Sequence, residues 1–190
     1  MSTELTVLGF AGSLRRDSWN RALLRALTDR APEGMTIVSH PLEGIPLYNA
    51  DEDVDGGPVP VRTVREEAGR ADALLFVTPE YNWGVPAVTK NLIDWLSRPF
   101  GEGPIWNKPM AMAWAGPGRG GGQHALAHLG ETLGVLSPAL FAEPLSVAYV
   151  NKVITLDGEI LDGELMTRVE SWLVEVGSHV RAGPPPAGES

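Results

Sequence analysis

The chain has 190 residues, and its 24 Asp and Glu outweigh 15 Lys and Arg to give a formal net charge of -9. That balance, with a pI near 4.9, argues against the broad basic face needed to follow a nucleic-acid backbone, and no apolar run approaches the roughly 18 residues of a membrane span. Cysteine is absent, which removes disulfides, thiol nucleophiles and thiolate metal sites together, so any redox chemistry must be carried by a bound cofactor.

The length fits one domain, placed at residues 1–182, with 183–190 (GPPPAGES) as a flexible tail. Met1 to Glu4 have neither the positive nor the apolar region of a signal peptide, so a cytoplasmic location is expected.

Leu5 to Ala11 (LTVLGFA) is a continuous apolar run ending at Gly12, as in a strand buried on both faces. Arg21 to Ala31 carries Leu23, Leu24 and Leu27 at helical spacing and closes near Pro32-Glu33-Gly34. Met35 to Ser39 reads as the second strand, Pro41 to Pro60 as a turn-rich acidic connection, and Val61 to Arg70 as a weakly amphipathic helix. Ala73 to Thr78 is another fully apolar strand. After an interruption, Ala87 to Ser97 places Val88, Leu92, Trp95 and Leu96 on one helical face. Met110 to Ala115 is the fourth strand, Gln123 to Leu133 a helix, and Leu145 to Tyr149 the fifth strand. Asp157-Gly158 reads as a tight hairpin turn, and Gly163 to Arg181 as a last helix with Leu165, Val169, Trp172, Leu173, Val176 and Val180 in register.

Strands alternating with helices predict an α/β fold built on a five-stranded parallel sheet with right-handed crossovers. In the doubly wound order 2-1-3-4-5, strands 1, 3 and 4 are neighbours, and the irregular loops that follow them meet at one carboxyl edge of the sheet.

The first of those loops, Gly12 to Asn20 (GSLRRDSWN), crowds Arg15, Arg16 and Arg21 around a helix start, where the dipole disfavours cations. A bound phosphate accounts for this placement, with Ser13, Arg15, Ser18 and Asn20 as donors around free backbone N–H groups. The plainer reading makes Ser18 an N-cap and the arginines solvated surface. The second loop, Pro79-Glu80-Tyr81-Asn82, is either a turn whose aromatics cover the sheet edge or a stiff wall for a planar ring. The third, Gly116 to Gly122, has five glycines. It is either flexible padding or a segment whose bare N–H groups approach a ligand. His124 and His128 stand four apart, a ligand spacing without a third partner, and read as surface or structural.

Taken together, GSLRRDSWNRALLRAL, PLYNADED, TPEYNWGVPAVTKNLIDWLSRP and AGPGRGGGQHA resemble the NADPH-dependent FMN reductase family, which includes bacterial NAD(P)H:quinone, chromate and azo-dye reductases. The resemblance runs from about Leu5 to Tyr149. It implies a flavodoxin-like three-layer sandwich, non-covalent FMN, NAD(P)H as co-substrate, and a homodimer or homotetramer. It also implies that Ser13, Arg15, Ser18 and Asn20 bind the FMN phosphate, that Pro79, Glu80, Tyr81 and Asn82 line the ribityl chain and ring, and that Gly116, Gly118, Gly121 and Gly122 meet the ring's pyrimidine side. Two positions depart from the family: Trp83 is bulkier than the small residue common there, and Gly116 replaces a frequent serine. No side chain is assigned a catalytic role. The alternative function is a flavodoxin-type electron carrier without NAD(P)H turnover.

Overall fold

In a computed structural model, which describes residues 4–183, the five apolar runs become β1 (Leu5–Ala11), β2 (Met35–His40), β3 (Ala73–Val77), β4 (Met110–Ala115) and β5 (Leu145–Val147). All pairings are parallel and the order is β2-β1-β3-β4-β5. β3, at the centre, is buried along its whole length. Strand side chains alternate between two cores, as the period of two requires. Val7, Leu75, Val77 and Ala111 face α1 (Trp19–Asp29) and α6 (Gly163–Ala182). Phe10, Phe76, Met112 and Trp114 face α2 (Val59–Arg70), α3 (Ala87–Leu96) and α4 (Gln123–Leu136). β4 is therefore lopsided. Ala111, Ala113 and Ala115 give one layer a shallow floor, while Met110, Met112 and Trp114 fill the other. This is the three-layer flavodoxin-like architecture expected from the sequence.

Trp95 and Trp172 are core residues, as their helical faces predict. The last strand is shorter than the sequence suggests. β5 ends at Val147 because Tyr149 takes a left-handed conformation (φ 50°) and starts the short helix α5 (Val150–Val153). The Asp157-Gly158 turn exists, but its flanks meet at the single bridge Ile154–Ile160 rather than as paired strands. Thr155 N–H donates to Glu159 and Gly158 N–H to Thr155. Gly158 is pressed onto α1, where an added Cβ would lie 2.8 Å from Cβ of Arg25. The acidic connection after β2 is pinned by Arg65, which grips Asp53 through two bonds (2.6 and 2.8 Å) and donates to the Trp95 carbonyl. That grip holds the Asp53 carboxyl below its ordinary range. No helix among the described residues is long and apolar enough to cross a membrane. The residues proposed as a flexible tail lie, from 184 onward, outside the described residues.

Candidate functional site

Sheet pairing carries one residue past the ends of β1, β3 and β4. Gly12 N–H donates to Val77 (2.8 Å), Thr78 N–H to Ala113 (2.9 Å), and Gly116 N–H to Val147 (3.1 Å). Beyond those points the three chains leave the sheet side by side, at its carboxyl edge. Gly12 can be nothing larger, because a Cβ there would lie 2.2 Å from the Thr89 hydroxyl.

In the first loop, Ser13 is buried and its Oγ lies 3.3 Å from the Tyr81 hydroxyl, joining loops one and two. Ser18 is the N-cap of α1, accepting from Arg21 N–H at 3.4 Å, so the plain capping role is real. The arginine cluster divides. Arg21 turns away from the helix start, donating through Nε to the Ser13 carbonyl and pairing with Glu43. Arg15 and Arg16 remain exposed, with no ion-pair partner among the described residues, at a helix whose first turn holds no acid. Two arginines, not three, are left for an anion.

Asn20 is buried. Its Nδ2 donates to the Ala115 carbonyl and its Oδ1 accepts from the Ala115 N–H, both at 3.0 Å. The side-chain amide thus acts as a one-residue strand, tying the second residue of α1 to the end of β4. These bonds use one of the two Nδ2 hydrogens and leave the other as a donor.

The second loop folds as a two-residue hairpin. Tyr81 and Gly84 exchange both main-chain bonds, and Asn82 (φ 49°) and Trp83 (φ 65°) are both left-handed. Such a turn prefers glycine at its second position, yet here it holds a tryptophan that is 70% exposed and stands edge-on to His124, 4.4 Å between ring centroids. Glu80 reaches across to the third loop. Its Oε2 accepts from the N–H groups of His124 (3.0 Å) and Ala125 (3.1 Å). Helix α4 begins at the left-handed Gly122, which supplies no side-chain cap, so Glu80 caps it from 44 residues away. Glu80→Ala is expected to cost about 1 kcal/mol, the usual worth of an N-cap. Faster amide exchange confined to the first turn of α4 would report the loss.

In the third loop, Pro117 to Gly120 are exposed while Gly116 and Gly122 are buried. The two buried glycines flank one indole. A Cβ at Gly116 would lie 2.3 Å from Cζ2 of Trp114, and one at Gly122 would lie 2.1 Å from its Cδ1. Trp114 is the functional-site residue that sequence reasoning missed. A lone tryptophan two places before a glycine run was the available signal.

A cleft of about 130 Å³ opens between the loops. Its walls take Ser13, Arg15, Ser18 and Asn20 from the first loop, Pro79, Glu80 and Tyr81 from the second, and Gly116 from the third, with Trp114 behind them. Asn82, Gly118, Gly121 and Gly122 lie outside this lining. On the other side of Tyr81 a hollow of about 450 Å³ continues over Leu14, Pro86 and Val88. A larger hollow of about 570 Å³, between α1 and the edge strand β2, includes Arg21 but none of the twelve residues assigned to cofactor binding.

Comparison with known proteins agrees with this geometry. The family model described as NADPH-dependent FMN reductase matches residues 5–151. An NAD(P)H-dependent FMN reductase of Pseudomonas aeruginosa is 39% identical over 182 residues, covering 95% of this chain and 98% of the relative. A quinone reductase of Escherichia coli is 35% identical over 185 residues, with the same coverage of 95% and 98%. Among solved structures, FerB of Paracoccus denitrificans, a flavoenzyme NAD(P)H:(acceptor) oxidoreductase, superposes with a TM-score of 0.85 at 28% identity, covering 94% of this chain and 98% of that one. The chain belongs to the NADPH-dependent FMN reductase family.

Proposed function

We propose that the protein is an FMN-dependent NAD(P)H oxidoreductase that reduces quinones or similar small acceptors. The observation that carries this reading is the meeting of three loops, one bearing unpaired arginine at a helix start, in a chain of this family.

The residues suit FMN. Arg15 offers to a phosphate a guanidinium with no ion-pair partner among the described residues, and Ser13 and the first N–H groups of α1 add neutral donors. Trp114 lines the cleft, and its buried Nε1 has no partner among the described residues, so one donor awaits an acceptor. Bound FMN supplies hydride transfer between NAD(P)H and the acceptor. The protein's own contribution is placement. Ser13, Arg15 and Ser18 hold the phosphate end, Tyr81 and Pro79 form a wall, and Asn20 and Glu80 fix the loops. The main-chain N–H groups of Gly118 to Gly122 favour negative charge beside them. No side chain is required as a proton donor, because water can protonate a reduced quinone.

The reading extends, on the family resemblance, to a single domain over 1–182 acting as a homodimer or homotetramer in the cytoplasm. Arg15→Ala is expected to weaken FMN binding about ten- to hundred-fold, the worth of a charge-assisted hydrogen bond. Unchanged FMN affinity would remove Arg15 from the phosphate site. The functional test crosses NADH and NADPH with a quinone, an azo dye, chromate and free FMN, using purified FMN-loaded protein. Steady nucleotide oxidation with at least one acceptor is expected. None with any acceptor would favour the electron-carrier alternative, to which the acidic charge is suited.

A further inference from the structure

We propose that Trp114 is a cofactor-binding residue whose indole N–H donates a hydrogen bond to an acceptor atom of bound FMN. The inference rests on the FMN reading above and adds a residue to it.

The buried Trp95 and Trp172 and the partly buried Trp106 set the contrast. Trp95 donates to the Pro46 carbonyl (2.8 Å), Trp106 to Ser97 (2.9 Å) and Trp172 to Glu143 (2.8 Å). Every one of these indoles is satisfied by main chain. Trp114, only 6% exposed, is not, and its Nε1 is the one buried side-chain polar atom without a partner among the described residues. A buried donor left unpaired is destabilising, and native interiors rarely keep one. Here it belongs to a residue that also lines the cleft where the three loops meet.

The surroundings are built around that indole. Glycine at both 116 and 122 is required to admit it, and a Cβ at 122 would lie 2.4 Å from Nε1 itself. A phenyl ring would fill much of the same slot without the unpaired donor, so packing alone does not account for tryptophan. The covering chain has few side chains to repack. Gly118 and Gly120 are exposed, with nothing within 4 Å of an added Cβ.

The test is a titration of the apoprotein with FMN, observed through the indole N–H resonances of protein carrying ¹⁵N-labelled tryptophan. W114F identifies the Trp114 signal by its disappearance. The expected result is a downfield displacement of that signal in both dimensions at saturation, larger than for Trp95, Trp106 or Trp172. FMN affinity of W114F should also fall by about five- to ten-fold, the worth of one neutral hydrogen bond. If FMN binds wild type while the Trp114 signal stays in place, the donor role is overturned and the cofactor reading stands. If wild type binds no FMN, both fall. Should W114F fail to fold, the Trp114 signal is assigned by through-bond correlation to its backbone amide and the wild-type titration decides.

Discussion

Replacing Asn20 by alanine is expected to destabilise the protein by about 2–4 kcal/mol, measured by denaturant unfolding. The side-chain amide satisfies both the N–H and the C=O of Ala115 at 3.0 Å inside the protein. Truncation leaves two buried main-chain groups unpaired, and each such group costs about 1–3 kcal/mol. The loss falls at the junction of α1 and β4, beside the cleft that Asn20 also lines, so FMN affinity should drop as well. Asn20→Asp should be no rescue. A carboxylate keeps the acceptor for the Ala115 N–H but sets negative charge against the Ala115 carbonyl, in a place where desolvation is already costly. A loss below about 1 kcal/mol for the alanine variant would mean that water replaces the amide.

Gly122→Ala is expected to be comparably severe, at about 2–5 kcal/mol. Two effects add there. The residue sits at φ 64°, where an L side chain costs about 1–2 kcal/mol. The new Cβ would also lie 2.1 Å from Cδ1 of Trp114, and overpacking of this kind adds about 1–3 kcal/mol. The indole has little room to retreat, since Gly116 bounds its other end. Two comparisons isolate the cause. Gly118→Ala, in the same loop but with open space around it, should change stability by no more than about 0.5 kcal/mol. In a Trp114→Leu background the cost of Gly122→Ala should shrink, and full additivity of the two changes would show that the indole is not the obstacle.

These two sites also mark where the sequence stops being readable. The strands were legible because both faces of the sheet are covered, so LTVLGFA and ALLFV need no alternation to betray them. The meeting of the three loops followed from strand order alone. What sequence could not reveal is the set of bonds that span the chain. Asn20 meets Ala115 across 95 positions, and Glu80 serves the start of a helix in another loop. Asn20 was assigned to the ligand by its type and place and Glu80 by the family resemblance, and neither signal reveals the bond that each makes within the chain. Arg21 was grouped with its neighbours by adjacency, whereas Glu43 draws it off. The glycines of the third loop announce that side chains are missing, but not which neighbour forbids them. Only the packing of Trp114 answers that for Gly116 and Gly122.

The reach of Glu80 to α4 has a mechanical consequence. One carboxylate oxygen clamps the hairpin of Tyr81 to Gly84 to the first turn of α4, so these parts of the rim travel as one body. The glycine run has its own moorings: the Gly118 carbonyl accepts from Tyr149 N–H (3.3 Å) and the Gly121 carbonyl from the Ser146 hydroxyl (2.8 Å). Between those moorings lie Arg119 and Gly120. In a rim assembled in this way, the stretch without a mooring is two residues long and carries one positive charge.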